Sequence, residues 1–373
     1  MKKLMKIQHL LLLGLTLSLS TFVQAQTQTQ AQAKVIGYIP SYKGLINAID
    51  TVDLKRNTHI NISFMNPNEN GQLLSNDRFL CFSNGEGDNT SAEQLKYAVD
   101  KAHQNNVKVL ISLAGGVIPG CSGDWAEFLK RENQDDLVNN LMAIVDEFNL
   151  DGVDIDIEGE LLTSIDEAGN YTPFIEKLSK GLKSRNKLLT CATASYVGGM
   201  VPISSLPYFD FVNIMSYDAI GPSWGTPGVE HATYEQAVQH VNLWIERGLT
   251  KEQLVLGVPF YGYGFGQYKA NYTFAEIVEE FGQGGVTKDL IGKACKGCDY
   301  ITYNGVPTII KKTQLALEFG SGVMIWELTQ DSKDNTSLLQ TIVNEMVKSN
   351  GVTGLDSGLF LMPSHTKTVN RLH

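Results

Sequence analysis

The sequence predicts one α/β domain, a single (β/α)8 barrel with an elaborated loop or small insertion before its eighth strand. Eight short apolar segments recur along residues 35–327, and segments with helical spacing or long loops separate them. Strands that alternate with helices pair in parallel through right-handed crossovers. Eight such units in one chain favour closure into a barrel over an open sheet.

The predicted strands are short runs rich in Val, Ile, Leu and Phe. They cover 35–39, 59–64, 107–113, 150–158, 188–193, 209–217, 254–261 and 323–327. Apolar residues spaced three and four apart predict helices over 95–102, 137–148, 174–182, 237–245 and 338–346. The glycine-rich segment 264–303, between strands seven and eight, breaks this alternation and is the expected insertion.

The two ends of the chain differ in composition from the barrel. Residues 1–25 are typical of a secretory signal, with lysines before an apolar run and small residues at the cleavage site. That run is too short to span a bilayer. Residues 26–34 form a low-complexity linker, 35–348 the barrel domain, and 349–373 a tail of unknown order. We therefore expect a secreted, periplasmic or cell-surface protein without a membrane anchor after cleavage.

The net charge of the chain indicates which classes of molecule it can bind. The formal net charge is −10, and it becomes −13 once the signal, which holds three lysines and no acidic residue, is removed. This acidity argues against nucleic acid or an anionic membrane as the partner. It is compatible with a neutral small molecule or a polysaccharide. We expect the protein to act as a monomer.

The five cysteines are too few for a disulfide framework. Cys81 and Cys121 lie in predicted loops and can pair, whereas Cys191 is expected as a buried free thiol. Cys295 and Cys298 form a lone Cys-x-x-Cys, without the further ligands that a zinc site requires. A loop disulfide is the preferred interpretation of this pair, ahead of a redox function.

The most informative stretch is the acidic strand 150–160. Because successive side chains of a strand point to opposite faces, Asp154, Asp156 and Glu158 share one face and the apolar residues between them share the other. Carboxylates at that spacing repel one another and push a proton onto at least one member, which suits a proton donor near neutral pH. A solvated strand edge or a calcium loop is the alternative, but a calcium loop requires a different spacing and flexible polar spacers.

These residues resemble the family 18 glycoside hydrolases, the chitinase family, whose signature is Asp-x-x-Asp-x-Asp-x-Glu. The signature is matched in full by Asp151-x-x-Asp154-x-Asp156-x-Glu158, in which Gly152 follows the first Asp. The other family segments appear in order, as Gly37-Tyr38, 60–64 ending at Phe64, Ser112-Leu-Ala-Gly115-Gly116, Met215-Ser-Tyr217-Asp218, 257–262 containing Tyr261, and Met324-Ile-Trp326-Glu327. Val117 stands where many chitinases carry an aromatic residue.

The resemblance implies a retaining, cofactor-free and metal-free mechanism in which the 2-acetamido group of the substrate is the nucleophile. Glu158 would be the general acid. Asp156 would orient the acetamide N–H, and Asp154 would lie deeper and share a proton with Asp156. The Tyr217 hydroxyl would hold the acetamide carbonyl in line for attack.

The remaining candidates are assigned to binding or to structure. Trp326 is expected to form the pocket floor beneath a sugar ring, and Asp218 to tune the site. Trp224 is a candidate for a product-side subsite, and Tyr38, Phe64, Met215 and Tyr261 are candidates for the pocket wall. Asp151 has the opposite strand parity from Asp154 and is expected to face the helix layer. Together with Gly152, Ser112, Gly115 and Gly116 it is treated as structural.

The predicted function is that of a secreted chitinase acting on chitin or N-acetylglucosamine oligosaccharides. An endo-β-N-acetylglucosaminidase acting on the chitobiose core of N-glycans would share the acidic signature. A chitinase-like lectin that binds without cleaving is a third possibility, but such proteins typically lack the acid at the position of Glu158.

Overall fold

The computed structural model of the protein describes residues 32–85 and 87–349. Eight parallel strands form a closed barrel in the order β1-β8-β7-β6-β5-β4-β3-β2, which confirms the predicted fold class. These strands are β1 (Lys34–Pro40), β2 (His59–Met65), β3 (Lys108–Gly115), β4 (Gly152–Ile157), β5 (Leu188–Thr193), β6 (Phe211–Ile214), β7 (Leu254–Pro259) and β8 (Gly322–Trp326). The predicted signal, most of the linker and nearly all of the predicted tail lie outside the described residues.

Helices connect the strands, and most of them bury an apolar face against the outer side of the barrel. They are α1 (Leu45–Thr51), α2 (Ala92–Gln104), α3 (Trp125–Phe128), α4 (Gln134–Glu147), α5 (Gly159–Glu167), α6 (Tyr171–Lys183), α7 (Tyr234–Glu246), α8 (Phe274–Thr287), α9 (Val306–Phe319) and α10 (Leu338–Ser349). Local signals fix several helix starts: α2 begins with a capping box of Ser91 and Gln94, and the Thr233 side chain caps α7. In the described part of the chain, no helix has both the length and the apolarity that crossing a membrane would require.

The main hydrophobic core lies between the strands and the helices. This core includes Val153, Ile155 and Ile157 of β4, which are almost completely buried. The intervening Asp154 and Asp156 point into the barrel. The alternation read from the sequence therefore separates an apolar outer face from an acidic inner face. Burial of the outer face holds the acidic face at the centre of the barrel.

The predicted insertion before the eighth strand is present and has its own architecture. We call residues 261–304 the insert. Its four antiparallel strands lie in the order Asn271–Thr273, Tyr261–Phe265, Tyr300–Thr302, Leu290–Gly292, and α8 joins the outer two. The insert starts three residues earlier than predicted, because β7 ends at Pro259 and Tyr261 already belongs to the antiparallel sheet. The apolar run 254–261 continues across this junction and conceals it in the sequence.

A second small sheet between β2 and α2 was not predicted. It consists of Leu74–Ser75, Arg78–Ser83 and Asn89–Ser91 in antiparallel order. The sheet is joined to the loop after β3 by a disulfide between Cys81 and Cys121. Cys295 and Cys298 also pair, and Cys191 is a buried free thiol, as predicted.

Candidate active site

The three carboxylates of the acidic signature follow one another up the inside of β4 to the carboxyl end of the barrel. Asp154 is fully buried and Asp156 is 3% exposed. Glu158 comes directly after the strand, at the position that starts α5, and its side chain makes no capping bond with that helix. The Glu158 carboxyl group is therefore free to face the cavity described below.

Asp154, the deepest of the three, is surrounded by hydrogen-bond donors. Burial raises the pKa of its carboxyl group, and the donated hydrogen bonds oppose that rise. The donors are Tyr38 Oη at 2.6 Å, Ser112 Oγ at 2.8 Å, Thr190 Oγ1 at 2.5 Å and Asn213 Nδ2 at 3.4 Å. Asp154 is thus a fixed, fully engaged group that repels a second charge on Asp156 above it.

Asp156 differs from Asp154 in having an unused oxygen. Its Oδ1 is buried and has no hydrogen-bond partner among the described residues. Burial, then the charges of Glu158 and Asp154, raise the pKa of Asp156 well above its ordinary value. A buried polar atom without a partner is costly to retain, and at the wall of a cavity it indicates an atom reserved for a ligand.

Glu158 has the electrostatics of a proton donor. Burial, and secondarily the Asp218 carboxylate, raise its pKa from 4.5 to about 7. The chain approaches it closely at Gly116, where a β-carbon would lie 2.8 Å from Glu158 Oε1. At the neighbouring Gly115, a β-carbon would lie 2.6 Å from the Phe64 ring. Because neither glycine has a side chain, Gly116 leaves space for the Glu158 carboxyl group and Gly115 leaves space for the Phe64 ring.

A cavity of about 970 Å³ opens above these carboxylates. Most of the predicted site residues line it, namely Tyr38, Phe64, Gly116, Asp156, Glu158, Met215, Tyr217, Asp218, Trp224 and Trp326. The lining residues that were missed include Tyr42, Tyr196, Gln236 and His240. Tyr42 and Tyr196 follow the ends of β1 and β5, so strand-end position was an available signal. Gln236 and His240 lie on α7, where the sequence gives no reason to expect cavity residues.

Aromatic side chains line the cavity in two places. Trp326 is half-buried; its ring stacks on Phe64 at a centroid distance of 5.6 Å and is tilted against Tyr38 at 5.3 Å. Trp224 is 44% exposed and packs edge-on against Tyr263. Flat apolar faces of this kind match the faces of pyranose rings, while the carboxylates beside them match polar substituents.

Tyr217 lies opposite the acidic strand with its hydroxyl largely uncommitted. Its one recorded hydrogen-bond partner in the described part of the protein is the weak acceptor Met324 Sδ, at 3.8 Å. Burial and then the nearby Asp218 raise the pKa of the phenol, so it remains protonated. A protonated hydroxyl that faces the cavity and lacks a strong acceptor is available to donate to a ligand.

Asp218 and Tyr261 show where one prediction was wrong. Tyr261 was expected in the pocket wall at the end of strand seven, but it is the first residue of the insert and does not line the cavity. Its hydroxyl instead donates to Asp218 Oδ1 at 2.5 Å. Asp218 itself lines the cavity, as predicted, and is 39% exposed.

The residues treated as structural lie outside the cavity, apart from Gly116. Asp151 precedes β4, accepts a hydrogen bond from the Val109 backbone at 2.8 Å and contacts His103 Nε2 at 2.8 Å. Its carboxylate therefore joins the start of β4 to β3 and α2. Gly152 is the first residue of β4. Ser112 lies on β3 and donates a hydrogen bond from its hydroxyl to Asp154.

Comparisons with known proteins identify the family of the chain. The family model "Glycosyl hydrolases family 18" matches residues 34–331. The GH18 chitinase ChiB from the chitin utilization locus of Flavobacterium johnsoniae is 34% identical, with a TM-score of 0.71, covering 85% of this chain and 95% of that one. A chitinase from Bacteroides thetaiotaomicron is 28% identical, with a TM-score of 0.69, covering 86% and 98%.

Curated relatives are more distant. A chitinase-like effector of Moniliophthora roreri is 26% identical over 258 residues, which cover 61% of this chain and 58% of the relative. Probable chitinase 10 of Drosophila melanogaster is 24% identical over 282 residues, which cover 61% of this chain and 12% of that much longer protein. The family match, by contrast, spans the whole barrel and all three carboxylates. The chain belongs to family 18 of the glycosyl hydrolases.

Proposed function

We propose that this protein is a secreted chitinase that hydrolyses β-1,4 linkages between N-acetylglucosamine units with retention of configuration. The observation that carries the proposal is the pairing of Glu158, whose pKa is raised to about 7, with Asp156, whose Oδ1 is left without a partner among the described residues. The first group is suited to donate a proton, and the second to accept a hydrogen bond from an acetamide N–H.

In the first step the substrate supplies its own nucleophile. The acetamide carbonyl oxygen attacks the anomeric carbon, the glycosidic C–O bond breaks, and the Glu158 proton passes to the departing oxygen. Asp156 accepts the acetamide N–H, and the Tyr217 hydroxyl donates to the carbonyl oxygen, so the amide is held for attack. The product of this step is an oxazolinium ion, whose positive charge the Asp156–Asp154 pair stabilises.

In the second step water restores the sugar. The Glu158 carboxylate takes a proton from a water molecule, which attacks the anomeric carbon from the side that the leaving group vacated. The oxazolinium ring opens, the acetamide is re-formed, and Glu158 is again protonated. Two displacements at one carbon give net retention. The Trp326 ring is the proposed floor beneath the reacting sugar, since it lines the cavity and packs against Phe64 and Tyr38.

The comparisons support the substrate class. The neighbours from Flavobacterium johnsoniae and Bacteroides thetaiotaomicron are chitinases. Two plant chitinases of the same fold, at 20% and 19% identity, were solved in complex with NAG4 and (GlcNAc)3. The presence of Glu158 favours a hydrolase over a lectin that only binds.

The experiment replaces the proposed acid and its neighbour in turn. Glu158→Gln should lower kcat on N-acetylglucosamine oligomers by about 100-fold or more, since a positioned acid contributes about 10²–10⁴-fold, while oligomer binding is retained. Glu160→Gln is the matched control, because Glu160 is exposed in the first turn of α5, two residues away. A thiazoline mimic of the oxazolinium should inhibit the wild type. Undiminished hydrolysis by Glu158→Gln, or equal cleavage of oligomers that lack the acetamide, would overturn the proposal.

A further inference from the structure

The Asp218 carboxylate faces the cavity on one side and a buried histidine on the other. His231 is 0% exposed, and its Nδ1 lies 3.5 Å from Asp218 Oδ1. The same oxygen accepts the Tyr261 hydroxyl. Neither the sequence pattern nor the family motifs of the chain single out His231.

The surroundings of His231 require an explanation. Its ring is enclosed by Tyr261 and Tyr263, at centroid distances of 5.4 and 5.1 Å. In the part of the chain that the structure describes, neither ring nitrogen makes a hydrogen bond of good geometry, and the carboxylate that His231 faces is Asp218. Burial of an imidazole without a partner is unfavourable, so the contact with Asp218 is the interaction that accounts for the position.

The segment that carries His231 is fastened to the insert at several points. Tyr300 Oη accepts the Gly228 N–H at 2.8 Å and donates to the Val229 carbonyl at 3.1 Å. Thr302 Oγ1 accepts the His231 N–H at 3.1 Å. One residue further on, the Ala232 carbonyl accepts hydrogen bonds from Asn304 at 2.7 Å and from Lys312 at 3.0 Å. These bonds fix residues 228–232 against the strand that ends the insert.

We propose that His231 is a positioning residue, which the insert holds in place and which in turn holds the Asp218 carboxylate beside Glu158. The proposal rests on the proposed role of Glu158 as general acid. It gives the insert a part in the chemistry, although its strands lie outside the barrel. The same insert supplies Tyr261 and Tyr263, so Asp218 is supported by three side chains that depend on it.

The expected consequence follows from the charges. Burial lowers the pKa of His231, so the ring is neutral at neutral pH and adds no positive charge beside Asp218. The titratable groups that face His231 are Asp218, Tyr261, Tyr263 and Lys312. Asp218 raises the pKa of Glu158. If Asp218 loses its support and turns towards solvent, Glu158 becomes a stronger acid and loses its proton at lower pH.

The test is the alkaline limb of the pH profile of kcat/KM. His231→Leu should shift this limb to lower pH by about half a unit. At pH values on the falling side of the profile, the shift corresponds to about a threefold loss of kcat/KM. In an Asp218→Asn background, which has no charge to position, His231→Leu should produce no further shift. His103→Leu is the control, because it removes another histidine–aspartate contact, to Asp151, outside the cavity.

Two further measurements keep the proposal testable. If His231→Leu does not fold, Thr302→Val keeps the imidazole but removes the acceptor of its backbone N–H, and should shift the limb in the same direction. A carbon-13 NMR titration of the Glu158 carboxyl group, assigned with Glu158→Gln, follows the same shift without turnover and so stays informative if the proposed function is wrong. The proposal would be overturned if the pKa of Glu158 is unchanged in the folded variants. It would also be overturned if His231→Leu shifts that pKa equally in the Asp218→Asn background.

Discussion

At the scale of single residues, the features that make Glu158 a proton donor also make it costly for the fold. Its carboxyl group is largely buried, lies against Gly116 and is repelled by Asp218, and together these surroundings favour the protonated form. A group whose folded-state pKa is raised above its unfolded value destabilises the fold once pH passes above the unfolded pKa. The cost grows from about pH 4.5 and is complete above about pH 7.

Glu158→Gln should therefore stabilise the protein at pH 8 and leave its stability nearly unchanged at pH 4. The upward shift from 4.5 to about 7 corresponds to a gain of about 3 kcal/mol in the free energy of unfolding at pH 8. Denaturant unfolding at the two pH values measures it, with Glu160→Gln as the exposed control. Equal gains at both pH values would contradict the electrostatic origin of the effect.

At the scale of elements, the site depends on loops at the rim of the barrel. A disulfide and a buried hydrogen bond hold one of these loops, the loop after β3, in place. The loop after β3 brings Gly116 and Val117 to the cavity and ends in α3, where Trp125 Nε1 donates to Asn66 Oδ1 at 2.8 Å. The Cys81–Cys121 disulfide joins this loop to the small sheet that follows β2. Val117 is 86% exposed, so it leaves this rim open where many chitinases carry an aromatic residue.

Removal of this disulfide should destabilise the fold more than removal of the other one. The paired cysteines are 40 residues apart at Cys81–Cys121 and 3 apart at Cys295–Cys298. Because the stabilisation grows with the closed loop, we expect losses of about 4 kcal/mol for Cys81→Ser/Cys121→Ser and about 2 kcal/mol for the second pair. Thermal and denaturant unfolding of the two double variants give the comparison. A larger loss at the shorter loop would refute the chain-entropy argument.

At the scale of the whole molecule, the net charge of the chain is compatible with the proposed neutral polysaccharide substrate. The chain is acidic, and it becomes more so when the predicted signal is removed, because residues 1–25 contain lysines but no acidic residue. An acidic enzyme gains no electrostatic attraction to a neutral polysaccharide and is repelled by anionic surfaces. Binding to the proposed substrate must then depend on the aromatic and hydrogen-bonding side chains that line the cavity.

We predict that the exported protein begins at Gln26. Signal cleavage after Ala25 follows from the small residues before that bond and the apolar run before them. Expression of the full chain in a secreting host, with N-terminal sequencing of the material recovered outside the cytoplasm, checks the site. Leu15→Arg, in the centre of the apolar run 10–20, should abolish export while leaving the barrel sequence intact. Retention of residues 1–25 on exported protein would contradict the prediction.

The sequence determined the barrel and the acidic centre of the site. Both depend on local periodicity: the alternation of strands with helices predicts the closed sheet, and the parity of residues within β4 separates Asp154 and Asp156 from Val153 and Ile155. The placement of Tyr217, Asp218 and Trp326 beside the carboxylates followed from the rule that strand ends meet at one face of a barrel. These predictions needed no distance between remote residues.

Only the tertiary structure decided which residues support the site from behind. Tyr38 donates to Asp154 across 116 positions of sequence, and Thr302 holds His231 across 71. These contacts form when the barrel closes and the insert packs against it. Neither event produces a periodic pattern in the sequence. The same holds for His240 on α7, which reaches the cavity although helices usually form the outer layer. Local patterns specify which face of a strand a residue takes, whereas its partners depend on how distant elements pack.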